Sequence, residues 1–293
     1  MPPPDPPYAL VGSTDGVRVA VHDLGGPDDP SAPVLLFSHA TGFHGRVWVP
    51  MAASLADRFR CLAIDYRGHG LTETPSETSL AWSGMGDDAL AVIESDLIGP
   101  DRTLHGVGHS MGAAALVLAA GRRPGRFRSL WLYEPVLVPP GSFGLSGVDN
   151  PMSVAAARRR ASFGSFEEAM ANFSSKPPLN QLRPDALEAY VRGGFARRSD
   201  GTVALRCLPI SEAAVFAGAT SNGAWAILPT LEVPVAVVAG RRQGAGPVGF
   251  APAAADALAH GVLVDRPALG HFGPLEDPDS MAQDLAGWVD AHP

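Results

Sequence analysis

The fold is decided by the stretch TLHGVGHSMGAAALVLAA at residues 103–120. A short apolar run leads into a Gly-x-Ser-x-Gly pentapeptide, which is followed by a run of alanine and leucine. This order predicts a strand, a sharp turn and a helix, with the turn holding Ser110 in a strained backbone conformation. Gly108 and Gly112 are expected where the strand and the helix pack too closely for a Cβ atom.

A serine in this turn projects from the carboxyl end of a sheet, with the amino end of a helix behind it. Backbone N–H groups at a helix start favour negative charge. Ser110 is therefore a candidate nucleophile, and these N–H groups would stabilise the oxyanion intermediate that its attack produces. A structural serine in a tight turn is the alternative. The rest of the chain therefore has to supply a base, an acid and a second oxyanion donor.

The composition favours one α/β domain that carries an insertion, because the chain has 293 residues, 46% of them apolar and 18% charged. The net charge is −8, Lys176 is the only lysine and the longest basic run is 158–160, so nucleic acid is excluded as a partner. Cys61 and Cys207 are the only cysteines, which indicates neither a disulfide framework nor a zinc site.

The amino-terminal residues and the hydropathy pattern predict a cytoplasmic protein. Residues 1–7, MPPPDPP, have neither the charged nor the apolar region of a signal peptide. No run of about 18 apolar residues occurs, so no membrane contact is expected. The expected state of assembly is a monomer or a homodimer.

Strands and helices alternate along the first part of the chain and again near its end. This alternation predicts a parallel sheet that is covered by helices on both faces. The predicted strands lie at 8–11, 17–22, 33–38, 59–64, 102–107, 129–133, 233–240 and 261–265. The predicted helices lie at 47–56, 87–98, 113–120 and 252–260, with a last helix that begins after an Asp277 cap.

The alternation is interrupted between residues 136 and 229. Helical stretches are expected there at 152–173, 184–197 and 209–219, with one strand-like run at 202–205. The sequence therefore predicts a core of residues 1–136 and 230–293, and a helical cap of residues 137–229 that lies over the sheet.

Four motifs occur in chain order: HATGF at 39–43, DYRGHG at 65–70, GHSMG at 108–112 and GHF at 270–272. With these motifs in this order, the chain resembles the α/β-hydrolase family along nearly its whole length. The resemblance implies a mostly parallel sheet with the helical cap inserted between the sixth and seventh strands. It also implies that Ser110 is the nucleophile and that the backbone N–H groups of Met111 and Thr41 form the oxyanion hole.

The chain departs from the family at two places. Where the family usually has His-Gly, this chain has His39-Ala40, and the extra methyl group narrows the allowed backbone angles. The family usually has an acid shortly after the seventh strand, but here that strand runs into GRRQGAG at 240–246, which has no carboxylate.

The base and the acid are expected on loops that follow strands. His271 lies after the last strand and is the candidate general base. Glu134 ends the sixth strand, where some members of the family carry their acid, and a charged group on an apolar strand end needs a partner. Asp256 and Asp265 remain competing acids. Asp65 is expected to stabilise the turn around Arg67 and not to take part in catalysis.

Together these residues indicate a serine hydrolase that cleaves a carboxylic ester or lactone of a hydrophobic small molecule through an acyl-enzyme, with no metal or cofactor. The alternatives are a C–C hydrolase, a thioesterase or acyltransferase, and a catalytically silent ligand-binding relative. Arg241 and Arg242 would bind an anionic group only if they face the cleft. The residues expected to contact the substrate are Phe43, His44, Trp48 and Phe272.

Overall fold

The computed structural model describes residues 6–142, 147–241 and 247–293. In chain order, the strands are β1 (Ala9–Gly12), β2 (Arg18–Gly25), β3 (Val34–Ser38), β4 (Arg60–Asp65), β5 (Leu104–His109), β6 (Ser129–Tyr133), β7 (Ser162–Phe163), β8 (Phe195–Arg197), β9 (Val203–Leu205), β10 (Val235–Ala239) and β11 (Gly261–Asp265). The α-helices are α1 (Val49–Ala53), α2 (Trp82–Ile93), α3 (Met111–Arg122), α4 (Pro151–Ala157), α5 (Phe166–Ser174), α6 (Pro184–Gly194), α7 (Pro209–Ala217), α8 (Ala251–Asp256), α9 (Gly273–Glu276) and α10 (Pro278–Asp290).

The central sheet has eight strands in the order β1-β2-β4-β3-β5-β6-β10-β11 among the described residues. The pairs β1–β2 and β2–β4 are antiparallel, and the other pairs are parallel. Every residue of β3, β4, β5, β6 and β10 is buried. Parallel strands covered on both faces have this continuous apolar pattern, so the predicted fold class is confirmed.

Helices cover both faces of this sheet and form two apolar layers. Helices α2, α3 and α8 contribute to the layer on one face, and α1 and α10 contribute to the layer on the other. The last helix begins as predicted, with Pro278 in its first turn and the Asp277 side chain accepting the Ser280 N–H at 3.2 Å. Among the described residues, no helix is both long enough and apolar enough to cross a bilayer.

The predicted helices differ from the structure in their bounds, as two examples show. The helix expected at 87–98 begins earlier, at Trp82, because the Trp82 indole is buried and donates a hydrogen bond to the Val215 carbonyl at 2.8 Å. The helix expected at 47–56 is a 3₁₀ turn at Gly45–Trp48 followed by the short helix α1. The first difference is an example of a tertiary contact that overrides local preference.

The segment between β6 and β10 is less helical than the sequence predicts. The expected helix at 152–173 is interrupted, since β7 and a Ser165 cap separate α4 from α5. The strand β7 pairs with β9, which also pairs with β8, in a small antiparallel sheet. The rings of Phe163 and Phe195 pack 5.8 Å apart on this sheet. The division of the chain into a core and a cap at 136 and 230 stays a prediction.

Candidate active site

Ser110 lies in the sharp turn between β5 and α3, as the pentapeptide predicts. Its backbone has φ 55° and ψ −113°, and its N–H donates to the Tyr133 carbonyl at 3.0 Å. A Cβ on Gly108 would lie 2.5 Å from Ala113 Cα, and one on Gly112 would lie 2.5 Å from the Ser38 carbonyl oxygen. Both glycines are therefore required for the close approach of the strand and the helix.

Glu134 and His271 form a hydrogen-bonded pair at the same edge of the sheet. The imidazole Nδ1–H donates to Glu134 Oε2 at 2.6 Å, and Glu134 Oε1 accepts the Gly240 N–H at 3.1 Å. The Glu134 side chain is buried, and its backbone has φ 40°. Since the carboxylate only accepts, the proton is assigned to Nδ1, which leaves Nε2 as the basic nitrogen.

The two competing carboxyl groups lie elsewhere. Asp256 is exposed at the end of α8, and Asp265 is exposed at the end of β11. Of the three candidate acids, Glu134 is the one that the structure brings into contact with His271.

His109 holds the backbone of the His271 loop, a role that the sequence did not indicate. Its Nε2–H donates to the His271 carbonyl at 2.8 Å, and the two rings lie 4.9 Å apart. Burial, and then the neighbouring His271, hold the pKa of His109 well below its usual range. The ring therefore remains a neutral donor. The available signal was its position directly before Ser110, at the end of β5 beside β6.

The loop at 39–43 is held by two buried histidines, His39 and His69. His39 Nδ1–H donates to the Ala40 carbonyl at 2.8 Å, and its Nε2 accepts the Tyr66 N–H at 3.1 Å. His69 Nε2 accepts the Gly42 N–H at 3.1 Å. Burial lowers the pKa of His39 to about 3, so this bracing histidine stays neutral.

The two amides expected to form the oxyanion hole are positioned by this loop and by the start of α3. Thr41 lines the cavity beside Ser110, and Met111 is the first residue of the helix. Within the described part of the chain, neither the Thr41 N–H nor the Met111 N–H has an acceptor. Both amides are thus available to an oxyanion, and their role remains a proposal.

Asp65 acts as a structural residue, in agreement with the sequence. Its buried carboxylate accepts the N–H groups of Gly45 and Leu71, each at 2.6 Å, and the Nε2–H of His22 at 2.8 Å. It therefore fixes the loops that follow β3 and β4. Arg67 is held by another carboxylate, that of Asp88.

Ser110 and His271 open into one cavity of about 360 Å³. Phe43 and Phe272 lie on its wall, and their rings are 5.4 Å apart. The lining residues are Ala40, Thr41, Phe43, Ser110, Met152, Ala155, Ala156, Arg159, Asn172, Phe173, Lys176, Pro177, Pro178, Leu179, Tyr190, Glu212, Phe216, His271 and Phe272.

Two of the four residues expected to contact the substrate do not line this cavity within the described residues. The His44 ring is buried under α6, where Nε2 lies 3.0 Å from the Tyr190 carbonyl. Trp48 is buried against Phe37, with ring centroids 5.3 Å apart. The reason is the 3₁₀ turn at Gly45–Trp48, which directs both side chains into the core.

A sequence model described as the alpha/beta hydrolase family matches residues 35–284. The chain belongs to the alpha/beta hydrolase family. Over 100 residues it is 37% identical to 2-(acetamidomethylene)succinate hydrolase of Mesorhizobium japonicum. This stretch covers 34% of this chain and 34% of the relative. Over 121 residues the chain is 29% identical to 3-oxoadipate enol-lactonase 1 of Acinetobacter baylyi. This stretch covers 41% of this chain and 42% of the relative.

The likeness to solved structures extends over the whole alpha/beta hydrolase fold. The crystal structure of E-2-(acetamidomethylene)succinate hydrolase covers 97% of this chain and 99% of its own, with a TM-score of 0.76 and 21% identity. In sequence, by contrast, the chain spans about a third to two fifths of the length of the two curated relatives. The comparisons therefore show the family and the fold, and they support a hydrolase.

Three polar residues of the cavity wall were not singled out as site residues from the sequence. Arg159 donates from Nη1 to Glu212 Oε2 at 2.5 Å and from Nη2 to the Tyr190 hydroxyl at 2.6 Å. Burial raises the pKa of Glu212, although Arg159 opposes this shift. The loop arginine Arg241 is instead exposed and bonds the Ala268 carbonyl at 2.8 Å, while Arg242 lies outside the described residues.

Proposed function

We propose that this chain is a serine hydrolase that cleaves a carboxylic ester or lactone of a small molecule through an acyl-enzyme on Ser110. The observation that carries the proposal is the 2.6 Å hydrogen bond between His271 Nδ1 and Glu134 Oε2, at the edge of the cavity that Ser110 lines. A nucleophile, a base and an orienting acid at one cavity are the parts that acyl transfer requires.

The proposed reaction has two halves. His271 Nε2 takes the proton of the Ser110 hydroxyl as the oxygen attacks the carbonyl carbon, and the N–H groups of Thr41 and Met111 stabilise the oxyanion. The protonated imidazole then gives its proton to the leaving alkoxide. In the second half, a water molecule loses a proton to His271 and attacks the acyl carbon. The imidazolium then returns that proton to Ser110 Oγ as the bond between Oγ and the acyl carbon breaks, and the carboxylic acid leaves.

The cavity and the relatives support a small substrate. A volume of about 360 Å³ lies near the lower end of the range for ligand pockets. Phe43, Phe173 and Phe272 supply apolar wall area. One of the two curated relatives is named an enol-lactonase, which favours a lactone or another carboxylic ester among the possible bonds.

Turnover of a panel of substrates tests this function. The wild-type chain is expected to hydrolyse p-nitrophenyl acetate or butyrate, or a simple lactone followed by pH-stat, whereas Ser110→Ala is expected to fold and to lose this activity. Equal turnover by the two proteins, after repurification to exclude a contaminating esterase, would contradict the proposal. A silent ligand-binding relative would turn over none of the panel.

A further inference from the structure

Arg159 lies two residues after the end of α4 and contributes a guanidinium to the wall of the cavity. Its side chain retains 23% of its accessible surface. Burial alone would lower its pKa, but the contacts with Tyr190 and Glu212 raise the pKa overall. The group is therefore a permanent cation inside a cavity that is otherwise mostly apolar.

The guanidinium has more donors than its neighbours use. Arginine carries five N–H donors, and among the described residues Arg159 donates only to Glu212 and Tyr190. Three donors are left without a protein acceptor among the described residues. The Tyr190 hydroxyl is buried and accepts from Arg159, and no acceptor for its own proton exists in the described part of the chain. Because the Arg159 side chain is only partly buried, these donors are open to an acceptor that enters the cavity.

The charges around the cavity favour an anion. Arg159 and Lys176 are its two cationic wall residues among those described, and Glu212 is its one carboxylate. Lys176, the only lysine of the chain, is exposed at the rim and donates to Asn172 Oδ1 at 2.9 Å. A locally positive cavity in a protein of net charge −8 attracts anions that the rest of the surface repels.

The same guanidinium lies beside the loop that carries Thr41. A Cβ on Gly42 would be 3.3 Å from Arg159 Nη1 and 2.5 Å from Glu212 Oε1. The guanidinium is thus next to the loop whose Thr41 amide is proposed to hold the reacting carbonyl. A molecule with both an ester and a carboxylate would place these groups at Ser110 and at Arg159, which line the same cavity.

A purely structural role explains less of this arrangement. Arg159, Glu212 and Tyr190 all belong to the segment between β6 and β10, where α4 and α7 are already joined by Ser153, which donates to the Ala213 carbonyl at 2.8 Å. If Arg159 only joined parts of this segment to one another, the two donors that it gives to Glu212 and Tyr190 would be sufficient.

We propose that Arg159 and the Tyr190 hydroxyl form a carboxylate-binding subsite, so that the substrate carries an anionic carboxylate in addition to the bond that is cleaved. This rests on the proposed function for the identity of that bond. Glu212 positions the guanidinium, and Lys176 adds attraction at the rim. Guanidinium–carboxylate pairs are charge-assisted and frequently bidentate, which gives both affinity and orientation.

Equilibrium binding to the Ser110→Ala protein tests the subsite without any turnover. The probes are the monomethyl esters of succinic, glutaric and adipic acid and the corresponding uncharged dimethyl esters, compared by isothermal titration calorimetry at pH 7.5. We expect at least one monoester to bind about 10- to 100-fold more tightly than its diester. Arg159→Met should abolish this preference and leave diester binding within about twofold, while Arg159→Lys should retain part of it.

The matched control is the neighbouring residue. Arg160 is exposed, pairs with Glu168 and does not line the cavity among the described residues, so Arg160→Met should keep the preference. If Arg159→Met does not fold because Glu212 is left buried and unpaired, Arg159→Met combined with Glu212→Leu removes both charges. Equal binding of monoesters and diesters, an unchanged preference in the Met variants, or no measurable monoester binding would each overturn the subsite.

These outcomes are separate from those of the proposed function. If the wild-type protein turned over no ester or lactone, the proposed hydrolase function would be contradicted, but the binding preference would still be measurable. Turnover of neutral esters without any binding preference would contradict the subsite alone.

Discussion

His271 Nδ1 lies 2.6 Å from Glu134 Oε2, although 137 positions separate the two residues in the chain. The contact joins the end of β6 to the loop before α9, and Gly240 holds the second carboxylate oxygen from the end of β10. In the family, the acid that bonds this imidazole usually follows the next strand of the sheet. Since neighbouring parallel strands lie about 5 Å apart, an acid directly after β6 reaches the same imidazole.

Glu134→Gln should lower kcat/KM by about 10² to 10⁴ while the fold is retained, because a neutral amide stabilises the imidazolium less and can hold the neutral imidazole in the wrong tautomer. Glu134→Asp should fall between this variant and the wild type, since it keeps the charge but shortens the side chain. Steady-state hydrolysis of the best ester, with circular dichroism to verify folding, measures the effect.

The control for this substitution is Asp265→Asn, which removes a carboxylate from the end of β11 and should change kcat/KM by less than about twofold. If Glu134→Gln kept more than about a tenth of the activity and Asp265→Asn did not, the acid would be Asp265.

Gly42→Ala should lower kcat/KM by about 10- to 100-fold, the cost expected for a small displacement of catalytic groups. Gly42 has φ +78°, and a Cβ there would lie 2.5 Å from Glu212 Oε1, beside the Thr41 amide. Gly125→Ala is the matched control, because Gly125 also has φ +78° but no atom within 4 Å of its added Cβ. Both variants should have a lower Tm because of backbone strain, Gly42→Ala the lower of the two because of the added contact with Glu212, and only Gly42→Ala should lose activity. Equal kcat/KM in the two variants would contradict the assignment of this loop to the site.

Stability should fall as the pH is lowered from 7 towards 4. Burial lowers the folded-state pKa of His39 to about 3 and of His44 and His105 to about 4, while unfolded histidine titrates near 6.5. Between these pKa values, the three histidines are protonated in the unfolded state but neutral in the folded state. The stabilisation is therefore fully present above about pH 6.5 and is lost as the pH falls towards the folded pKa values.

Urea denaturation at pH 7.5, 6.5 and 5.5 measures this loss. Each such histidine should change the folding equilibrium by up to about tenfold per pH unit. His105→Asn, in β5 and outside the cavity lining, should reduce the slope by about one proton. A free energy of unfolding that is constant from pH 7.5 to 5.5 would contradict the neutral buried histidines.

The turn around Ser110 could be predicted because its determinants are local. The apolar run, the two glycines and the following helix former are contiguous, and steric contact fixes the backbone at φ 55°. Glu134 was identified because no carboxylate follows the seventh strand at 240–246. Its hydrogen bond to His271 was then a geometric consequence of parallel strand ends meeting at one edge.

The cavity wall could not be predicted in the same way. Arg159 meets Glu212 and Tyr190 only through the packing of α4, α6 and α7, and no sequence period marks such a contact. His44 and Trp48 are close in sequence to Phe43, but the 3₁₀ turn buries both. The strand β7 was missed because its two residues pair with β9, which lies about 40 positions away.

The central claim is that Ser110 becomes acylated. Intact-protein mass spectrometry after treatment with a fluorophosphonate tests it most directly, with peptide mapping to locate the adduct. We expect one adduct per chain, mapped to Ser110, and none on Ser110→Ala or on heat-denatured wild-type protein. An unmodified Ser110 in the folded wild-type protein, or an equal adduct on Ser110→Ala, would contradict the account.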